Sequence, residues 1–170
     1  DLDDRIITTP VKLYPWAWIM AEEFGHHILT SGVRFFEPPW KAILSNKGLM
    51  PLLLGMFEGH PNLLPAFFED DPAASIFTDN GSYVRKPLLS RQGANIEIVY
   101  EGKTLYQSDG LYGKDAHIIQ GFQPLPEFEG SYPLLGCWLV ASKAVGLCIR
   151  EDKTLVTSKD ASFIPHVILD

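Results

Sequence analysis

The chain has 170 residues, 46% of them hydrophobic and 12% aromatic, which is enough apolar material for one core and too much for a disordered segment. Its formal net charge of −7, without a block of basic residues, excludes a broad nucleic-acid footprint, so any anion must be held locally. Two cysteines, Cys137 and Cys148, do not make a disulfide scaffold, and with neither a secretory leader nor a long apolar run the expected compartment is the cytoplasm. The opening Asp1-Leu2-Asp3-Asp4-Arg5 reads as a polar turn, which suggests a piece of a longer chain.

From Ile6 to Trp18 the pattern is extended, with Pro10 and Pro15 working against a helix. Tyr14-Pro15-Trp16-Ala17-Trp18 is dense in aromatics, which suits core packing more than ligand stacking. From Ile19 to Leu29 the positions Ile19, Met20, Phe24, His27 and Ile28 fit one face of a helix, and Gly32 follows as a stop. His26 and His27 are adjacent, so they diverge around a helix and do not make a chelating pair. In Val33 to Lys41 the proline pair Pro38-Pro39 ends an extended stretch and opens a helix, near whose start Lys41 falls. Lys41 is either a tolerated surface lysine or, with that helix end, a phosphate ligand. Two short helices are expected from Ala42 to Phe57, broken at Ser45-Asn46-Lys47-Gly48. Glu58 to Asn62 is a turn, Leu63 to Phe68 an apolar patch, and Glu69 to Ser82 a polar loop.

The stretch from Tyr83 to Ile98 reads as strand, turn, strand. The first strand delivers Arg85 and Lys86, the turn carries Ser90, Arg91, Gln92 and Gly93, and the second strand alternates Ile96, Ile98, Tyr100. Such a turn is either a nest of amide donors for a polyphosphate or an ordinary solvated hairpin. Strands follow at Ile96–Tyr100, Lys103–Gln107, His117–Gln123, Tyr132–Ala141, Val145–Arg150 and in the tail after Ser162. Helices first and an antiparallel sheet after make the chain α+β. Gln120-Gly121-Phe122-Gln123 ends a strand in a proline-punctuated segment whose backbone suits a purine edge as well as another strand. Arg150, beside Glu151 and Asp152, reads on its own as a surface ion pair. No zinc spacing, nucleophile elbow or Walker loop is present.

Five ordered motifs go beyond a generic α+β domain. They are Lys12-Leu13-Tyr14-Pro15-Trp16-x-Trp18, Glu37-Pro38-x-Trp40-Lys41 continuing to Lys47, Gly59-His60-Pro61-Asn62-Leu63-Leu64-Pro65, Lys86-Pro87-x-x-Ser90-Arg91-x-Gly93-Ala94-Asn95, and Ile149-Arg150-Glu151-Asp152. Together, from about residue 11 to the end, they resemble the glutathionylspermidine synthase family.

The resemblance implies that residues 1–170 are the C-terminal nucleotide-binding part of an ATP-grasp ligase, with short helices packed on an antiparallel sheet. The implied reaction joins a glutathione-like peptide carboxylate to a polyamine-like amine through an acyl phosphate, using ATP and Mg2+. Carried over by position, Lys41 and Lys86 resemble the lysines on the phosphates, and Ser90, Gln92 and Gly93 belong to a loop closing over them. Gln120, Gly121, Phe122 and Gln123 resemble the adenine hinge, Leu155, Val156 and Thr157 a further wall, and Arg150, with Arg91, the grip on the moving phosphoryl group. The family's Glu-x-Asn-Ala-Asp metal motif is not among these residues, so magnesium ligands are expected outside them, from the remainder of a longer chain. Ala17 and Gln92 stand where relatives often carry Glu. The implied partners are small molecules, not nucleic acid or membrane. A rival reading is a nucleotide-binding or interaction module of this family that has lost its chemistry.

Overall fold

Hydrophobic periodicity changes from helical to alternating near residue 83, and the structure, a computed structural model that describes residues 2–169, follows that change. Asp1, part of the expected opening turn, lies outside the described residues. The first half holds short helices α1 (Trp16–Ala21), α2 (Leu49–Met56) and α3 (Ser75–Thr78), with 3-10 turns at Glu23–His27, Pro39–Ser45 and Pro72–Ala74. The described strands are β1 (Ala66–Phe68), β2 (Tyr83–Pro87), β3 (Glu97–Tyr100), β4 (Lys103–Gln107), β5 (His117–Gly121), β6 (Tyr132–Val140), β7 (Lys143–Asp152) and β8 (Ser162–Ile164). They form two antiparallel sheets, one of five strands in the order β1-β5-β2-β3-β4 and one of three in the order β6-β7-β8. The chain is α+β, as expected.

Register decides what each face of the larger sheet carries. Val84 lies opposite Ile98 and Gln120, and Lys86 opposite Ile118, so alternation puts these five on one face. Val84, Ile96 and Ile98 are buried there, with Tyr106, Phe122, Leu155 and Val156 packed against them. Arg85, Glu97, His117 and Ile119 occupy the other face. There Arg85 donates to Glu69 Oε2 at 3.1 Å and lies 3.3 Å from His117 Nδ1. Burial, followed by the Arg85 charge, pushes the His117 imidazole below its usual pKa. Ile118 is fully enclosed, a burial that stabilises by about 1.5–3 kcal/mol.

Several expectations are corrected. The helix expected from Ile19 to Leu29 stops at Ala21: Glu22 is extended (φ −83°, ψ 158°), and its carboxylate accepts a hydrogen bond from the Tyr14 hydroxyl. The extended N-terminal segment ends at Pro15 rather than Trp18, because Pro15 caps α1. The loop from Glu69 to Ser82 contains a 3-10 turn and α3, started by Asp71, whose carboxylate accepts from the Ala73 amide at 2.9 Å. The strand expected to reach Gln123 ends at Gly121, and the tail strand is only Ser162–Ile164. The expected single sheet is two. Among the described residues no helix is long and apolar enough to cross a membrane.

Candidate functional site

A pocket of about 240 Å³ opens where the break before α2 meets the buried face of the five-stranded sheet, between Asn46, Lys47, Met50, Lys86, Ile118 and Gln120. Lys47 sits in that break because its own amide donates to Leu88 O at 2.8 Å, while Asn46 Oδ1 accepts from the Gly48 amide at 2.8 Å and shapes the turn. Its ammonium donates to Ser90 O and, at 3.0 Å, to Ser90 Oγ. Lys86 comes from β2 and donates to Gln120 Oε1 on β5 at 2.7 Å.

These cations have neutral partners. Among the described residues none of Lys47, Lys86 and Arg91 forms an ion pair, and the buried Arg91 Nε has no hydrogen-bond partner. Burial, and after it the charges of Lys86 and Arg91, lower the Lys47 ammonium to about 8. Burial lowers Lys86 as well. Concentrating buried positive charge without a carboxylate is costly, and an arriving anion relieves that cost.

The loop after β2 borders this pocket. Ser90 is buried, Gln92 is exposed with φ 55°, and Gly93 has φ 77°. A Cβ on Gly93 would lie 2.9 Å from Val156 Cγ1, so only glycine lets the loop approach the Leu155-Val156-Thr157 segment this closely. That segment is held by Asp152, which accepts from Ser158 N at 2.9 Å, Ser158 Oγ at 2.8 Å, Thr154 N at 3.0 Å and Thr154 Oγ1 at 3.1 Å. Burial pulls the Asp152 carboxyl upward, but the Ser158 and Thr154 hydrogen bonds prevail and hold it at about 2. Phe122 joins Leu155 and Val156 against the core and meets Tyr100 edge-on at 5.9 Å. Gly121 ends β5, its amide donating to Pro65 O at 3.0 Å, and Gln123 lies exposed beyond it.

Lys86, Ser90, Arg91, Gly93, Gln120, Phe122, Val156 and Thr157 are therefore linked by contact or by charge. Lys41 and Arg150 have other neighbours. Lys41, in the 3-10 turn, donates to Glu37 Oε1 at 2.8 Å. Arg150, on β7 opposite Leu134 and Phe163, lines a separate cavity of about 380 Å³ with Trp138 and Cys148. The site residues that sequence reasoning left unassigned are Lys47 and Asp152. Lys47 stands in the polar break beside Gly48, and a lone cation in a gap between apolar helices was the available signal. Asp152 offered only its place before a turn. Among the described residues no group of three or more His, Cys, Asp or Glu side chains is placed to hold a metal ion.

Comparison with known proteins gives the family of the chain. The chain matches the family described as glutathionylspermidine synthase pre-ATP-grasp over residues 1–169. It is 40% identical over 175 residues to a provisionally named acid–amine ligase of Haemophilus influenzae, covering 98% of this chain and 43% of the relative. It is 33% identical over 133 residues to trypanothione synthetase of Crithidia fasciculata, covering 77% and 20%. It is 29% identical over 144 residues to the bifunctional glutathionylspermidine synthetase/amidase of Escherichia coli, covering 84% and 22%. The chain thus spans less than half the length of each of these relatives. With the family matched along nearly its whole length, the chain belongs to the glutathionylspermidine synthase family.

Proposed function

We propose that this chain is the nucleotide-binding part of an ATP-grasp acid–amine ligase, and that the cluster of Lys47, Lys86 and Arg91 receives the ATP phosphates. The observation that carries the reading is the meeting of two partly buried lysines, Lys47 and Lys86, on one pocket, with the Arg91 charge close enough to act on Lys47 and without a single carboxylate partner for the three among the described residues. A polyphosphate fits that donor set: two ammonium groups act as point charges, and the orphaned Arg91 Nε gains the acceptor it lacks. In this reading Lys47 takes the place beside Lys86 that position alone had suggested for Lys41, whose ammonium is already paired with Glu37. The stretch from Gln120 to Gln123, where β5 ends and the chain leaves it, and the segment from Leu155 to Thr157 take the adenine, with Phe122 and Val156 as apolar walls.

The chemistry asked of these residues is neutralisation and alignment. Transfer of the γ-phosphoryl group to a carboxylate oxygen brings two anions together, releases ADP and leaves an acyl phosphate; an amine nitrogen then forms the amide bond, losing a proton as phosphate departs. Lys47 and Lys86 offset the charge on the nucleotide, while Arg91, whose charge acts on Lys47, is placed by the reading at the moving group; Arg150 would join it only from the separate cavity that it lines. Magnesium, held by residues outside this stretch, would supply further positive charge to the nucleotide, and the peptide carboxylate and polyamine-like amine are the substrates the relatives' names suggest.

Calorimetric titration of Mg·ATP into the full-length protein and its Lys86→Met variant tests this. Lys86→Met removes a buried charge at similar volume, so the fold is kept while affinity drops about 10- to 100-fold, the range for a charge-assisted contact. Equal affinity in parent and variant would refute the phosphate placement, and a folded parent that takes no nucleotide would refute the reading as a whole.

A further inference from the structure

The aromatic run Tyr14-Pro15-Trp16-Ala17-Trp18 has no place in the chemistry above, and its contacts give it one. Trp16 is buried, donating its indole N–H to Glu37 O at 3.0 Å and meeting Phe35 edge-on at 4.9 Å. That fixes α1 and leaves Trp18 pointing away from this anchor, with Nε1 donating to the Tyr112 hydroxyl at 3.0 Å. Tyr112 belongs to the segment after β4, and this segment runs behind the loop from Ser90 to Asn95.

The attachment between the two is dense. The Tyr112 amide donates to Asn95 Oδ1 at 2.8 Å, and the Ser108 amide to Ile96 O at 3.0 Å. Ser108 Oγ accepts from the Ile96 amide at 2.9 Å and donates to Gly93 O. Gly110 lies so close that a Cβ there would be 2.5 Å from Asn95 Oδ1 and 2.8 Å from Ala94 Cβ. Gln92, Gly93 and Asn95 all have positive φ, at 55°, 77° and 53°, a backbone that Gly93 adopts freely and that costs Gln92 most, so bonds from outside the loop help to hold it.

We infer that the segment from Ser108 to Tyr112, braced by Trp18, is a strap that fixes the phosphate loop in its binding shape before nucleotide arrives, with Ser108 and Tyr112 as positioning residues. The inference rests on the reading that this loop meets ATP. Ser108 bonds both sides of the turn, to Gly93 and to Ile96, so its hydroxyl sets the loop's span. Tyr112 connects that span to α1, which makes the aromatic run the strap's far anchor. A pre-shaped loop lowers the ordering cost of binding and adds to affinity without touching the ligand.

The test is calorimetric titration of Mg·ATP into the full-length protein and its Ser108→Ala, Ser108→Thr and Tyr112→Phe variants, each below its own melting midpoint. Amide hydrogen exchange over residues 90–96 is measured in parallel without nucleotide. Ser108→Ala should weaken ATP binding about tenfold and Tyr112→Phe about threefold, the range expected for lost hydrogen bonds. Ser108→Thr, which keeps the hydroxyl, should restore affinity, and exchange over 90–96 should rise in the two impaired variants only. A parent that binds ATP while Ser108→Ala and Tyr112→Phe bind as tightly overturns the strap alone, showing these residues to be purely structural. A folded parent that binds no ATP overturns the functional reading, and the strap's role in binding with it.

Discussion

The two sheets of this chain differ in what covers them. In the five-stranded sheet Ile98, Ile118 and Ile119 are at most 2% exposed, and Lys86 on that sheet is partly buried among them. In the three-stranded sheet Leu135, Trp138, Leu139, Val140 and Val145 are all more than half exposed, and Arg150 is only partly buried. Local sequence is equally apolar in both, so hydrophobic strands alone do not decide where charge is desolvated. Packing of a second layer does, and that layer on the larger sheet includes Phe122, Leu155 and Val156, the residues placed around the candidate nucleotide site.

Truncation separates the sheets most sharply. Ile118→Ala should cost about 2–5 kcal/mol, because a closed site cannot collapse around the missing methyl groups. Leu139→Ala, on the open hairpin, should stay within about 0.5 kcal/mol. Chemical denaturation of both variants checks the pair, and similar losses would mean that the hairpin is covered in solution. Gly93→Ala comes next, at about 2 kcal/mol, since it forces φ 77° on an L-residue and drives a Cβ against Val156. A variant as stable as the parent would show that the loop does not rest on the Val156 segment.

Proton linkage acts with opposite sign on the fold and on the proposed binding. Lys47 titrates at about 8 in the fold and near its ordinary value when unfolded, so above pH 8 the unfolded chain holds more protons. The stability penalty is full below pH 8 and relieved as pH rises from there toward the unfolded value. Phosphate binding needs the charged form, so ATP affinity should instead fall about tenfold between pH 7 and pH 9, with proton uptake visible as buffer-dependent heat at pH 8. Lys86, also lowered by burial, acts in the same direction. Affinity that stays flat across this range would remove Lys47 from the phosphate site.

Much of the sheet was legible in sequence because alternation is local: the bounds Lys103–Gln107 for β4 hold, as do the starts of β2, β5 and β6. The pairing order was not, since β1 and β5 are separated by 50 to 54 residues in their partner pairs and no local pattern reports such contacts. The same limit applies to the site. Lys86 and the loop from Ser90 to Asn95 lie in one continuous stretch, so spacing suggested them together. Lys47 reaches that stretch only through the packing of α2's leading turn on Leu88 and Ser90, and Lys41 is six positions earlier with the same side-chain chemistry. Tertiary contact, not spacing, brings Lys47 beside Lys86, while Lys41 pairs with Glu37.

Asp152 ties the two sheets together. It is the last residue of β7 in the exposed sheet, yet its carboxylate organises the segment from Lys153 to Ser158, whose Leu155 and Val156 pack on the buried one. Four donors converge on two oxygens, an arrangement that favours the charged form enough to outweigh its partial burial. Because the folded value of about 2 lies below the ordinary one, the stabilisation is complete at neutral pH and disappears as acid brings the solution through that value. Asp152→Ala should lower stability at pH 7 by about 1 kcal/mol, less than a count of four bonds suggests, because solvent replaces part of what is lost at a half-exposed site. The more telling readout is nucleotide affinity: if the segment is a wall of the adenine pocket, Asp152→Ala should weaken Mg·ATP binding several-fold in the full-length protein while Asp152→Asn, which keeps one acceptor oxygen, falls between it and the parent. Unchanged affinity in Asp152→Ala would separate the segment from the nucleotide and leave Asp152 a structural tie between the sheets.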